Sequence, residues 1–192
     1  MKYGRTNNHT GYSMIAWIVG IVLSILFVVT AISIYYKTKQ AVGNQIAQDV
    51  VALAAIFERI DRTCDIIGFD YQKNPINFLT VKKDGFVGNE IGSMNIVYPA
   101  RWEGPYVDNN LSIKGVDYMI VQTDFGYFIT PGEGVKLPNG MRIGHDLVLD
   151  KNADIPAMML DPKALRYKDH ALAAPISIRA SHVSVLFEDE GA

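Results

Sequence analysis

The chain contains a single cysteine, Cys64, in 192 residues. That excludes an intrachain disulfide and any zinc site built on a cysteine cluster. A lone cysteine near a helix end reads as a small apolar residue. An excess of positive charge is also missing. The 18 Lys and Arg stand against 20 Asp and Glu, a net charge of -2, so the basic footprint of a nucleic-acid binder is absent and no nucleic-acid partner is expected. The catalytic motifs are missing too: no G-x-S-x-G elbow, no H-x-x-x-H or H-E-x-x-H pair, no P-loop and no dinucleotide G-x-G-x-x-G after a strand. His145-Asp146, His170, His182, Ser177 and Ser181 are the residue types of a hydrolase triad without its sequence context. An enzyme is not expected. Internal repeats and low-complexity segments are absent.

Charge is missing most completely from Tyr12 to Tyr36, 25 residues without one ionisable acid or base other than tyrosine. About 20 apolar residues cross a bilayer, so this run spans one with some tilt. No Pro and no Gly-Asn turn ends it, and helical spacing continues beyond Lys37, Lys39 and Gln40. Ile46, Val50, Leu53, Phe57 and Ile60 follow in steps of 4, 3, 4 and 3, which is one stripe of a helix. Ala47, Val51 and Ala54 widen the stripe, and Gln45, Gln48, Asp49, Glu58, Arg59, Asp61 and Arg62 fall largely off it. The spacing predicts one helix from Tyr12 to about Ile67, ~80 Å long at 1.5 Å per residue, with Gly68 as its stop. Residues 12–36 are its transmembrane half and 37–68 its amphipathic half. Gly43 costs up to ~1 kcal/mol against Ala and reads as a local flex point. The stripe suits the core face of the following domain; a parallel coiled-coil dimer is the competing use.

Residues 1–10 are short and polar, with Lys2 and Arg5. The apolar run behind them is too long for a cleaved secretory signal, and no A-x-A site follows it. Lys2, Arg5 and the terminal amine before the span outweigh Lys37 and Lys39 after it only slightly. The expected topology keeps the N-terminus cytoplasmic and everything after Lys37 outside.

Residues 69–192 read as a β-rich globular domain. Residues 69–75 are expected to be loop, Ile76–Val81 a strand or short helical turn, and Asp84-Gly85 with Gly88-Asn89 a loop. Val116–Gln122 and Phe125–Thr130 alternate as a hairpin about Thr123-Asp124. Val135–Ile143 is a second hairpin, turned at Asn139-Gly140. Asp146–Asp150 is expected as a strand. Asp161-Pro162 opens an expected helix of about ten residues, with Leu165 and Leu172 inward and Pro175 beyond its end. Ile176 and Ile178 alternate with a change of parity at Ser181-His182, the sign of a bulge, before an acidic tail. The fold class is therefore α+β, a long N-terminal helix packed on a C-terminal antiparallel sheet.

Two features carry a family resemblance. Gly11-Tyr12, between a short basic leader and an uncharged helix that continues as an amphipathic one, resembles the processing site of type IV prepilins and type II secretion pseudopilins. Trp102-Glu103-Gly104-Pro105-Tyr106 resembles the W-x-G-P-Y element that follows the long helix in the major pseudopilin. The resemblance implies a pilin-like fold, with residues 1–11 as leader, cleavage after Gly11 by a prepilin peptidase and methylation of Tyr12. It implies a precursor in the bacterial inner membrane with its globular domain periplasmic or extracellular. It also implies an inner-membrane assembly platform and a filament of like or unlike pilin-like subunits. The assembly helix would comprise Ala16, Ile46, Val50, Leu53 and Phe57. Position 16 holds Ala where the family usually carries a Glu that pairs with a neighbour's N-terminal amine, and the tip-type minor pseudopilin shares that lack. The Pro common midway along the span is missing as well. In itself Trp102, Gly104, Pro105 and Tyr106 read as an aromatic loop staple.

The motifs call for no cofactor. Calcium is the one ion to weigh: the major pseudopilin binds it in a C-terminal loop, and Asp146, Asp150 and Asp154 offer oxygens of the kind calcium takes. Two other readings stay open. One is a signal-anchored extracytoplasmic binding or sensor domain that never polymerises. The other is a membrane-anchored hydrolase using Ser177 or Ser181.

Overall fold

The structure, a computed structural model, describes residues 9–84 and 90–179. Helix α1 runs unbroken from His9 to Cys64, 56 residues. It stops short of Gly68. Asp65 takes the left-handed conformation at φ 52°, which Asp tolerates better than most residues, and its N–H returns to the Asp61 carbonyl at 3.0 Å. The Cys64 carbonyl then accepts from Val97 N–H at 3.1 Å and Tyr98 N–H at 2.9 Å. These bonds close the helix end, and residues 66–69 go to a strand instead.

The chain divides into two compact units, the first ending at Ala41 and the second starting at Val42. In the first, the described apolar side chains of α1 are exposed along the span, Phe27 at 78% and Trp17 at 73%. The span is long and apolar enough to cross a membrane. Two of its hydroxyls bond back onto the helix: Ser24 donates to the Gly20 carbonyl at 2.8 Å and Thr30 to Leu26 at 2.8 Å, the bonding that an apolar medium favours.

The second unit is α+β. Around the C-terminal part of α1 lie β1 (Ile66–Phe69), β2 (Lys73–Pro75), β3 (Glu90–Ile91), β4 (Met94–Ile96), β5 (Ser112–Ile113), β6 (Val116–Asp117), β7 (Met119–Thr123) and β8 (Gly126–Thr130). A one-turn helix α2 (Ile155–Met158) precedes β9 (Arg166–Tyr167), β10 (His170–Ala171) and β11 (Ala174–Ile176). The strands form a three-stranded sheet, β1-β4-β3, a four-stranded sheet, β11-β8-β7-β2, and two short ribbons, β5-β6 and β9-β10. Every pairing between these strands is antiparallel. Both outer strands of the four-stranded sheet carry a proline, Pro75 and Pro175. Proline cannot donate to a further strand, so each edge resists extension there.

The stripe Ile46, Val50, Leu53, Phe57, Ile60 and Cys64 is wholly buried, in one core with Ile66, Met94 and Ile96 of the smaller sheet and Ile120 and Ile129 of the larger. Phe57 stands edge-on to Phe69 at 6.1 Å and to Phe78 at 6.2 Å, the geometry that aromatic quadrupoles favour.

Several local expectations are corrected. Residues 69–75 contain β2 as well as loop, and Ile76–Val81 form no regular element. The β7–β8 hairpin turns one residue later than expected, since Thr123 pairs with Gly126 and leaves Asp124-Phe125 at the tip. Val135–Ile143 folds back on itself through Leu137 N–H to Met141 O and Ile143 N–H to Val135 O, with Gly140 at φ 101°, but pairs as a single bridge. Residues 146–150 hold one bridge residue, Leu147, and no strand. The helix expected after Asp161 is absent. Asp161 instead holds a turn, accepting from Lys163 N–H at 2.8 Å. Leu165 and Leu172 are buried, as expected, but they flank the β9–β10 hairpin and bond to each other at 2.8 Å. Their separation of seven residues fits two helical turns and the two arms of a short hairpin alike. Gly85, Gly88 and Asn89, the break at Ser181-His182 and the acidic tail lie outside the described residues.

Gly43 has a packing reason. The helix is continuous there, and a Cβ at Gly43 would press into the Tyr167 ring and against Pro138. The glycine is a notch that lets the β9–β10 hairpin close on α1. Gly43→Ala gains about 1 kcal/mol of helix propensity and loses about 1–3 kcal/mol to overpacking. A lower Tm for Gly43→Ala is expected, recovered when Tyr167→Ala is combined with it; a higher Tm for the single variant would refute the notch.

Candidate functional site

Two sets of residues were singled out on α1, and they have different fates. Gly11 and Tyr12 lie in its first turns. Ala16 is exposed, and with Trp17, Gly20, Ile21, Ser24 and Ile25 it lines a shallow notch on the helix. Ala16, Gly20 and Ser24 are spaced by four, so a short row of small side chains runs along about two turns of the span. Ile46, Val50, Leu53 and Phe57 have no exposed surface. They serve the chain's own core and are not available to a coiled-coil partner.

The Trp102–Tyr106 element is a staple holding a loop to the C-terminal part of α1. A 3₁₀ turn at Pro99–Arg101 leads into it. Trp102 is fully buried, and its indole N–H donates to the Val81 carbonyl at 3.0 Å. Its ring meets Tyr106 edge-on at 4.8 Å. The Gly104–Pro105 peptide is cis. A Cβ on Gly104 would collide with the Val81 carbonyl and the Trp102 indole, so only glycine fits. Lys83 N–H donates to Gly104 O and Tyr106 N–H to Leu79 O, both at 2.9 Å. From α1, Arg59 donates to Glu103 at 2.7 Å and lies 5.6 Å from the centre of the Tyr106 ring. The Glu103 hydrogen bond raises the Arg59 pKa further above its usual value. Burial pushes the Tyr106 phenol up.

Two polar contacts were not legible beforehand. Asp61 is 3% exposed. Its carboxylate accepts from Ile66 N–H at 3.0 Å, Arg179 N–H at 3.2 Å and the Arg179 Nε at 3.3 Å. The Arg179 guanidinium also donates to the Asp61 carbonyl at 2.6 Å and pairs with Asp65 at 2.8 Å. One arginine, 118 residues away in sequence, thus ties down the C-terminal end of α1. The available signal was the step of four from Phe57 to Asp61, which sets a carboxylate at the margin of the apolar stripe. The second contact is Tyr118, fully buried, whose hydroxyl donates to Asp49 of α1 at 2.7 Å. Burial first, and then the Asp49 carboxylate, holds this phenol far above its usual pKa.

The three aspartates weighed for calcium are engaged separately. Asp146 accepts from Arg142 N–H at 2.8 Å and lies 2.9 Å from the His145 ring; the His145 bond, then the Arg142 amide, lowers its pKa. Asp150 accepts from Asn152 N–H at 3.1 Å, and Asp154 caps α2 through Ala157 N–H at 2.9 Å. Among the described residues no three His, Cys, Asp or Glu side chains gather as a metal-holding group. Ser177 is exposed, and Ser181 and His182 lie outside the described residues.

Removing Asp61 leaves buried donors unpaired, at about 1–3 kcal/mol. The half-covered Asp65–Arg179 pair is worth about 0–1 kcal/mol by comparison. Denaturant titration of the detergent-solubilised chain is expected to rank Asp61→Ala well below Asp65→Ala in stability. Equal losses would mean that the clamp acts through surface charge alone.

No family model, curated protein or solved structure matches this chain.

Proposed function

We propose that the chain is a pilin-like subunit of a type II secretion or type IV pilus filament. It is made as a single-pass inner-membrane precursor with the N-terminus cytoplasmic, cut after Gly11 by prepilin peptidase, and assembled through α1. The observation that carries this reading is the divided use of one unbroken helix. Its stripe from Ile46 to Cys64 is consumed by the β-rich domain, whereas the apolar side chains from Met14 to Tyr36 are exposed. Soluble proteins do not leave so long an apolar surface open, so lipid or neighbouring helices must cover it.

Passage from bilayer to filament then costs little hydrophobic free energy, because both surroundings are apolar. Close packing decides it, and the small face at Ala16, Gly20 and Ser24 favours close approach of a second backbone. The Trp102–Tyr106 staple supports the reading by its motif and its position after the helix. The work of such a subunit is mechanical: apolar helices are buried against neighbours one subunit at a time, while an assembly ATPase elsewhere supplies the energy.

Intact mass and N-terminal peptide mapping of the membrane-extracted protein, with and without co-expressed prepilin peptidase, test this. Loss of residues 1–11 with a methylated Tyr12 is expected only when the peptidase is present. A chain that still begins at Met1 in both samples would overturn the proposal in favour of a fixed membrane anchor.

A further inference from the structure

Two loops of the second unit meet at Gly43. Pro138 lies against it from the turn at Asn139-Gly140, and the Tyr167 ring lies against it from β9. The Asn139 amide ties the loops together, donating to the Pro162 carbonyl at 3.1 Å and the Ala164 carbonyl at 2.7 Å. Their charge differs from that of the chain as a whole. Residues 136–142 and 160–169 hold five bases, Lys136, Arg142, Lys163, Arg166 and Lys168, against two acids, Asp161 and Asp169, while the whole chain carries -2. Arg166 is half-buried and the other four basic side chains are exposed. Asp161 accepts from the Lys163 N–H, and Asp146, four residues past Arg142, accepts from the Arg142 N–H.

The same loops carry Leu160, 72% exposed, more than any other large apolar residue described in the second unit. An exposed apolar side chain among lysines suits a bilayer surface, with the apolar group in the headgroup layer and the ammonium groups on phosphate. Reach is set by the chain. Gly43 follows Tyr36, the last residue of the uncharged run, by seven residues. Seven residues span about 25 Å at most, even fully extended. Gly43 therefore stays within that distance of the end of the run, whichever way the second unit turns. Lys37 and Lys39, in the connection, add charge of the same sign.

We infer that the surface formed by residues 136–142 and 160–169 docks on anionic phospholipid headgroups of the bilayer that holds the span. This rests on the membrane part of the reading above and not on the filament. Charge selects the surface. Phe125, 55% exposed at the β7–β8 tip, stands beside Asp124, which pairs with Lys151 at 3.7 Å, and so lacks a surplus of positive charge. Leu160 has that surplus around it. Docking gives the second unit of the unassembled chain a fixed face toward the lipid, held by charge and released by salt.

The test uses the full-length chain in phosphatidylcholine vesicles with and without about a third of phosphatidylglycerol, with brominated acyl chains as quencher. Leu160→Cys carries an environment-sensitive fluorophore, and the unaltered chain, whose one cysteine is the buried Cys64, gives the background labelling. Quenching of the label is expected to be at least about threefold stronger in the anionic vesicles. High salt should remove that difference, and so should Lys163→Glu combined with Lys168→Glu. A label at Phe125→Cys should stay unquenched in both vesicles. Equal quenching at Leu160 in both vesicles, no quenching there, or equal quenching at Phe125 would each overturn the docking. Trp17 fluorescence, taken as the difference from Trp17→Phe, separates this from failure of the membrane reading. Quenched Trp17 with an unquenched Leu160 label rejects the docking and leaves the span in the bilayer. Unquenched Trp17 rejects the span and the docking together.

Discussion

Burial of the stripe from Ile46 to Ile60 is the interaction on which the second unit depends. Five large side chains at about 1.5–3 kcal/mol each give roughly 8–15 kcal/mol of gross stabilisation. That is the size of a domain's whole net stability. The sheets alone are slight: strands of two to five residues, with both outer strands of the larger sheet interrupted by proline. Sheets this short do not sustain themselves in water. They fold because Phe57 and its neighbours on α1 give Phe69, Phe78, Ile96 and Ile120 a common surface to bury.

This dependence explains where the polar contacts sit. Helix packing fixes two surfaces together but does not by itself set their rotation. Tyr118–Asp49 and Arg179–Asp61 lie 12 residues apart along α1, each joining the helix to a segment far away in sequence. Tyr118 and Asp61 are buried, so a slip along the helix would leave their polar groups unpaired. The Arg59–Glu103 pair beside the Trp102–Tyr106 staple makes a third tie, exposed and therefore weaker. Apolar burial supplies the affinity of helix for sheet, and these hydrogen bonds select one register.

What could be read from the sequence follows the same division. The long helix, its apolar half, its buried stripe, the β7–β8 hairpin and the Trp102 staple were legible because each is a local pattern: a period, a turn dipeptide, a short motif. Elements set by distant partners were not. The Asp65 stop depends on Val97 and Tyr98 to satisfy the last helical carbonyl, so Gly68 drew the prediction instead. Asp161-Pro162 has the chemistry of a helix start, yet the chain turns back at Lys168, held at φ 54°, to seat Tyr167 against Gly43. Gly43 itself looked like a weakness in a helix; its reason lies more than 120 residues downstream. For the aspartates at 146, 150 and 154, spacing alone suggested a shared ion, but each carboxylate has a backbone N–H within four residues to accept from, and local capping claims it first.

A helix that is exposed and apolar in one part and packed in a core in the other constrains its sequence in two ways, and the boundary is visible in the residues. Through Tyr36 no acid or base is admitted, and side chains such as Ser24 and Thr30 close their hydrogen bonds onto the helix itself. Beyond Gln40 charge is admitted again in principle, yet the outward face stays neutral for four more turns. The domain core does not require this, since that face is turned away from Ile46, Val50, Leu53 and Phe57. Solubility argues against it, because a charged face would keep monomers apart. Neutrality sustained at a cost in solubility makes sense where the face is covered for part of the protein's life. The same reasoning applies to the exposed span, where the cover must be apolar rather than merely uncharged.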